Sequence, residues 1–94
     1  MTTKYPIRCK NTIGYFTMNQ HVVLDHDGYP MYFGKLIDQN DKVVGGWKCF
    51  FKTFPLHPVW WDRNGKKHFA GSFSNHLATR ILDILNGHQE ECPF

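Results

Sequence analysis

The feature that most constrains the fold is a single amphipathic helical pattern, "SNHLATRILDILNG", near the end of the chain. Its apolar residues recur at helical spacing and form one broad stripe. The stripe comprises Leu77, Ala78, Ile81, Leu82, Ile84 and Leu85. Ser74 is placed to cap the first turn and Gly87 to end the last, so we predict a helix over about 74–86. So broad an apolar face must pack against another layer.

The residues before this helix have the composition of strands and turns. Segments such as "HVVLD", "YPMYFGKLID" and "KVVGGWKCFFKTF" are rich in β-branched and aromatic residues, and "HDG" and "QND" separate them. Strands joined by such short turns pair as antiparallel hairpins. The sequence therefore predicts an α+β fold, in which an antiparallel sheet of about five or six strands packs against one C-terminal helix.

Length and composition predict one compact domain over residues 1–94. The chain is long enough for a single hydrophobic core, and 41% apolar with 16% aromatic residues excludes a disordered chain. We expect strands over about 4–70, then the helix, then a short polar tail over 87–94. The net charge of +3 permits nucleic-acid binding without demanding it.

The cysteines and the first residues indicate a reducing compartment. The three cysteines are widely spaced, and the first ten residues lack the apolar centre of a signal peptide. No run of ten consecutive apolar residues occurs. We therefore expect a cytoplasmic protein with no disulfide framework and no membrane segment, in which Cys49 is a small core residue.

A hairpin is predicted at the Asn-Gly pair 64–65, since two-residue loops of this composition favour a type I′ turn. That turn would place Trp60 opposite Phe69 and Trp61 opposite His68. Alternate strand residues point to opposite faces of the sheet. Trp60 and Phe69 are therefore expected on the inside, and Trp61 is expected outside with Arg63 and His68. The other expected pairs are Arg63 with Lys66 and Asp62 with Lys67, the latter an ion pair.

The same rule applies to the Asp-Gly pair 27–28. A two-residue loop there would place Leu24 opposite Met31 and Val22 opposite Phe33. Apolar residues would then face each other across the hairpin, which supports this register.

A candidate interface for a protein partner surrounds the predicted 64–65 turn. A large indole ring beside guanidinium and ammonium groups is typical of an interface hot spot. The candidate residues are Trp61, Arg63, Lys66, Lys67 and His68. The expected mechanism is occlusion, in which aromatic anchors are buried against a larger protein and the cations steer toward its acidic surface. In the alternative, Trp61 closes the edge of the core.

Single-stranded nucleic acid is an alternative ligand, because cations and rings alternate along one predicted strand. Lys48, Phe50, Lys52 and Phe54 fall on the same side of it. Rings stack on bases and ammonium groups pair with phosphates, which is the chemistry that single strands require. The same lysines could instead extend from the rim of the core into water.

The segment after this strand, "KTFPLHP", has a basic residue followed by two spaced prolines. Such a segment can form a polyproline helix that docks into an aromatic groove. Within a compact domain it is more simply a rigid connection between two strands.

A metal site is considered because histidine and cysteine are frequent. His88 and Cys92 are four residues apart, and His68 and His76 are the residues that could join them. A structural zinc site usually has two close ligand pairs, however, and at most one is visible. The segment "DHDG" lacks the later ligands of a calcium loop. We expect no metal and no cofactor.

Enzyme activity is not expected either. Asp25, His26, Asn64, Asn75 and His76 supply the residue types of a metal-dependent nuclease of the His-Asn-His kind, but they are too far apart for its compact unit. The chain has no nucleophile elbow and no glycine-rich phosphate loop.

The sequence thus predicts a small, non-enzymatic protein-binding module. Short aromatic-rich chains are often accessory or inhibitory products of phages and other mobile elements, and we expect that role here. Single-stranded nucleic-acid binding is the first alternative, and a small metal-dependent enzyme is the second. No motif in the chain identifies a family.

Overall fold

The computed structural model describes residues 3–9, 12–52 and 55–87. It confirms the α+β prediction: the described strands form a seven-stranded antiparallel sheet, and one helix follows them. The strands are β1 (Tyr5–Cys9), β2 (Thr12–Phe16), β3 (Val23–Leu24), β4 (Pro30–Ile37), β5 (Val43–Phe50), β6 (Val59–Trp61) and β7 (Lys67–His68), and the helix is α1 (Ser72–Leu85).

The sheet is a meander with one branch. Its strands lie in the order β1-β2-β4-β5-β6-β7, and the short β3 pairs with the first half of β4 while β2 pairs with the second half. The β4–β5 pair shifts register at Leu36/Ile37, where Val44 is an extra residue in β5. The two longest strands, β4 and β5, therefore form the centre of the molecule.

Three hairpins of the sheet turn in the same way, and an aspartate begins each turn. In the loops that start at Asp25, Asp38 and Asp62, the aspartate N–H donates to the carbonyl four residues later. The Oδ1 atom of each accepts the backbone N–H groups two and four residues later, at 2.8 to 3.1 Å. The last loop residue has positive φ, namely Gly28, Asp41 or Gly65. Each connection is thus a three-residue loop with a left-handed final residue.

The predicted two-residue loops at 27–28 and 64–65 are therefore wrong by one residue. The aspartate carboxylate binds two N–H groups of the turn, which stabilises the longer loop. As a result Leu24 pairs with Pro30, not with Met31. In the second hairpin Trp60 pairs with His68, and Trp61 pairs with Lys67.

This shift changes which side chains share a face around β6. Phe69 does not lie inside with Trp60, since it is 67% exposed. His68 takes that place and stacks on Trp60, with ring centroids 4.0 Å apart. The expected Asp62–Lys67 ion pair is replaced by a contact of 3.3 Å between Asp62 Oδ2 and His68 Nε2.

The core lies between one sheet face and α1. Trp47 is fully buried at its centre, and its Nε1 donates to the carbonyl of Thr17 at 2.9 Å. Cys49 is buried as predicted, and burial raises the pKa of its thiol to about 11. The core cluster comprises Ile7, Phe16, Leu36, Trp47, Cys49, Leu56, Leu77, Ile81 and Ile84.

The helix begins two residues before the predicted cap. Gly71 precedes the first turn with φ 113° and ψ 179°, a conformation almost restricted to glycine, and its carbonyl accepts the N–H of Asn75. Ser74 is therefore a buried residue inside the helix and not its N-cap. Gly87 ends the helix as predicted, at φ 87°. Among the described residues no helix is long and apolar enough to cross a bilayer.

Candidate binding interface

No described residue forms a second layer on the sheet face opposite α1, and we call this face the open face. One row of paired residues crosses it from β4 to β7: Lys35 with Gly46, Gly46 with Trp61, and Trp61 with Lys67. The next rows contain Phe33, Lys48 and Val59, then Met31 and Phe50. Paired residues of neighbouring strands point to the same side, so these side chains form one surface.

Trp61 lies at the centre of the first row because Gly46 leaves room for it. A Cβ atom at position 46 would be 2.4 Å from Cζ2 of the indole and 2.7 Å from Cε2. The ring therefore covers the glycine backbone directly, and Trp61 is only partly buried there. A glycine at this strand position creates the site of the aromatic anchor.

The cations of the open face are available to a ligand. Lys35, Lys48 and Lys67 are exposed, and no described residue forms an ion pair with any of them. Lys48 Nζ lies 5.4 Å from the centroid of the Phe50 ring. Since neighbouring strands are about 4.8 Å apart, Lys35 and Lys67 emerge about 14 Å from each other across the sheet.

Aromatic side chains fill the spaces between these cations. Phe33 is 39% exposed and Phe50 37% exposed. None of the strand positions that form the open face carries a carboxylate. A groove of about 530 Å³ borders Phe33 and Lys35, with the chain from Thr17 to His21 on its other side.

Lys52, predicted for nucleic-acid binding, is already paired. Its Nζ lies 3.1 Å from Asp27 Oδ2 and 3.2 Å from Asp25 Oδ2. It also lies 5.5 Å from the Tyr29 ring centroid and 5.6 Å from that of Phe50. The hydrogen bond to Asp27 raises the pKa of the Lys52 ammonium, while the N–H of Tyr29 lowers the pKa of Asp25.

The residues predicted for nucleic-acid binding are thus divided. Lys48 and Phe50 lie on the open face, whereas Lys52 forms ion pairs with Asp25 and Asp27. Phe54 lies outside the described residues. A phosphate group at Lys52 would have to displace two carboxylates.

The residues predicted for partner binding are also divided. Trp61 and Lys67 lie on the open face, and Arg63 and Lys66 are exposed in the turn between β6 and β7. His68 lies on the helix side of the sheet, where the Trp60 ring and Asp62 hold it. The hydrogen bond between His68 Nε2 and Asp62 Oδ2 lowers the pKa of the Asp62 carboxyl group. The open face therefore combines two of the five residues predicted for partner binding with two of the four predicted for nucleic-acid binding.

Sequence reasoning missed Phe33 and Lys35. These residues lie on β4, and the β4–β5 turn separates them from Lys48 in the sequence. They become neighbours of Lys48 and Gly46 only through the register of β4 on β5. That register depends on the loop after Asp38 and on the extra residue Val44. The alternation within "YFGK" is visible in the sequence, but it does not show which strand lies next to it.

The residues considered for metal binding are placed as follows. His88 and Cys92 lie outside the described residues. Within the described ranges no group of three or more His, Cys, Asp or Glu side chains is placed to hold a metal ion. Asp25 and Asn64 both belong to hairpin turns.

Comparison with protein-family models, curated proteins and solved structures finds no match to this chain. The open face combines partly exposed rings with cations that have no ion-pair partner among the described residues.

Proposed function

We propose that this protein is a non-enzymatic binding module whose open face covers an acidic surface of a larger protein. The observation that carries the proposal is the row from Lys35 through Trp61 to Lys67, in which cations flank one indole ring. Trp61 is the anchor, and burial of its ring supplies most of the affinity. The lysines select acidic partners and accelerate association.

The proposed role is that of a cytoplasmic accessory or inhibitory protein, of the kind that phages and other mobile elements carry. Occlusion needs a surface that does not rearrange on binding. The open face meets this requirement because four paired strands carry its side chains. The buried Trp47 packs in the core on the opposite face of the same strands. The free, buried thiol of Cys49 supports a reducing compartment.

Affinity capture with matched variants tests the proposal. Trp61→Ala should lose the captured partner, and the triple variant Lys35→Gln, Lys48→Gln, Lys67→Gln should weaken its capture in a salt-dependent manner. Lys42→Gln is the control for charge, because Lys42 is exposed in the β4–β5 turn and is not part of the open face. Equal capture by wild type and Trp61→Ala would exclude the proposal.

Single-stranded nucleic acid remains a second candidate, and one observation favours it. The open face alternates three aromatic rings with three lysines; the rings are those of Phe33, Phe50 and Trp61. A single-stranded nucleic acid that crosses this face would therefore contact rings and ammonium groups in turn. Fluorescence anisotropy with a labelled oligothymidine tests this directly. Three phosphate contacts predict a slope of about −2 in log K against log salt.

Nuclease treatment separates the two candidates. A partner that survives nuclease and depends on Trp61 supports protein occlusion. Loss of capture after nuclease, with oligonucleotide binding that requires the three lysines, supports the nucleic-acid function instead.

A further inference from the structure

A cavity of about 250 Å³ opens on the helix side of the sheet, beside the first turn of α1. Most of the residues that line it are apolar, and three are charged. The apolar ones include Ile7, Leu36, Ile37, Val44, Trp60 and Phe73, and the charged ones are Asp38, Asp62 and Arg63. This site is distinct from the open face, which lies on the other side of the same strands.

A glycine contributes no side chain to the lining of this cavity. Gly14 of β2 pairs with Ile7 and lines the cavity. A Cβ atom at position 14 would lie 2.9 Å from the backbone carbonyl oxygen of Ile37, so a larger residue there would require the backbone to shift. Of the α1 residues, Phe73 alone is among those that line the cavity. The helix therefore leaves this end of the core unfilled.

The three charged lining residues are not equivalent. Oδ1 of Asp38 and Oδ1 of Asp62 each accept two backbone N–H groups of their own turns, and Asp62 Oδ2 also contacts His68. Arg63 is exposed, and no described side chain pairs with its guanidinium. The Arg63 guanidinium is the positively charged group among the lining residues, and its planar geometry matches a carboxylate.

We propose that this cavity binds a monocarboxylate with a small apolar body, whose ring or branched chain packs on Trp60 while its carboxylate pairs with Arg63. The volume suits a phenyl-sized or indole-sized group. The carboxylate belongs either to a free arylalkanoic or branched alkanoic acid or to the C-terminal residue of a peptide, since the two present the same chemistry.

Titration of the isotope-labelled protein by NMR tests the site with three probes of one shape: 3-phenylpropanoate, its amide and 3-phenylpropylamine. The acid should bind most tightly and the amine most weakly, and amide signals of cavity residues should shift. Arg63→Gln should reduce the affinity for the acid by about tenfold and leave that for the amide unchanged. Lys66→Gln makes the same charge change in the same hairpin without lining the cavity, so it should not alter binding.

A cavity-filling variant adds an independent readout. Val44→Phe should abolish binding of all three probes while the thermal midpoint is retained or raised. A peptide ending in phenylalanine, with a free or an amidated terminus, tells the two sources apart: tighter binding of the free terminus than of phenylpropanoate indicates a chain end. Preference for the amine, an unchanged acid affinity in Arg63→Gln, or shifts confined to the open face would each overturn the proposal.

Discussion

The two faces of this sheet are built from the same strands, yet a tryptophan on one face has a different environment from a tryptophan on the other. On the helix side Trp47 has no exposed surface and its Nε1 is hydrogen-bonded to Thr17. On the open face Trp61 covers Gly46 and keeps part of its ring in solvent. One ring stabilises the fold, and the other is available to a ligand. A strand residue therefore acquires its role from the layer it faces and not from its type.

Replacement of the buried ring should give the largest effect on stability. Trp47→Ala removes a fully buried side chain and a buried hydrogen bond, so the free energy of unfolding should fall by about 3 to 5 kcal/mol. Trp61→Ala should lower it less, by about 1 to 3 kcal/mol, because part of that ring is exposed to solvent. Urea denaturation of both variants measures the contrast. Similar losses for the two would place Trp61 in the core and remove the distinction between the faces.

Displacement of the open-face ring should give the next largest effect. Gly46→Ala inserts a methyl group where the indole lies, so Trp61 must move, at a cost of about 1 to 3 kcal/mol in stability. Partner capture should fall to the level of Trp61→Ala although the ring is still present. Normal capture by a folded Gly46→Ala protein would show that the position of the indole is unimportant.

Acid should weaken the turns at the two ends of the open face. Hydrogen bonds lower the pKa values of Asp25 and Asp62 below the ordinary 3.8, so both carboxylates stabilise the fold above that pH. Their contribution is lost as the pH falls through the lowered values. Asp62→Asn should therefore flatten the decline of stability below pH 3.8, as measured by urea titrations at several pH values. An unchanged pH dependence in both Asp25→Asn and Asp62→Asn would contradict this assignment.

The smallest expected effect tests the turn shared by three hairpins. Asp41 has φ 67°, whereas Gly28 and Gly65 occupy the equivalent position in the other two loops. Asp41→Gly should relieve this conformation and raise the free energy of unfolding by about 0.5 kcal/mol, since the exposed contact with Lys4 contributes little. Gly65→Ala should do the opposite, and thermal melts of both variants make the comparison. Stabilisation by Gly65→Ala would mean that positive φ is not required there.

Much of the architecture follows from local pattern. The stripe from Leu77 to Leu85 predicts α1, Gly87 predicts its end, and the β-rich segments predict an antiparallel meander. The start of α1 was predicted incorrectly because Ser74 has the composition of a cap, while the backbone of Gly71 adopts the conformation that begins the helix. Local composition identified the element and the residue that ends it, but not the residue that begins it.

The candidate interface was only half visible for a related reason. The sequence "DRNG" is consistent with either a two-residue or a three-residue turn. The three-residue turn forms because the Asp62 carboxylate accepts hydrogen bonds from two N–H groups of that turn. That turn moved His68 from the side of Trp61 to the side of Trp60. A shift of one residue in register moves a strand residue to the other face, so a small local error has a large effect on the site.

The sequence by itself determined the elements, their order and the alternation of rings and cations along each strand. The tertiary structure decided which alternate set faces α1 and which residues of distant strands become neighbours. Lys35 beside Gly46 and Trp61 beside Lys67 are contacts of this second kind. The physical reason is that alternation is a property of one strand, whereas a binding surface is a property of several strands whose register is fixed by turns, a bulge and the packing of a helix.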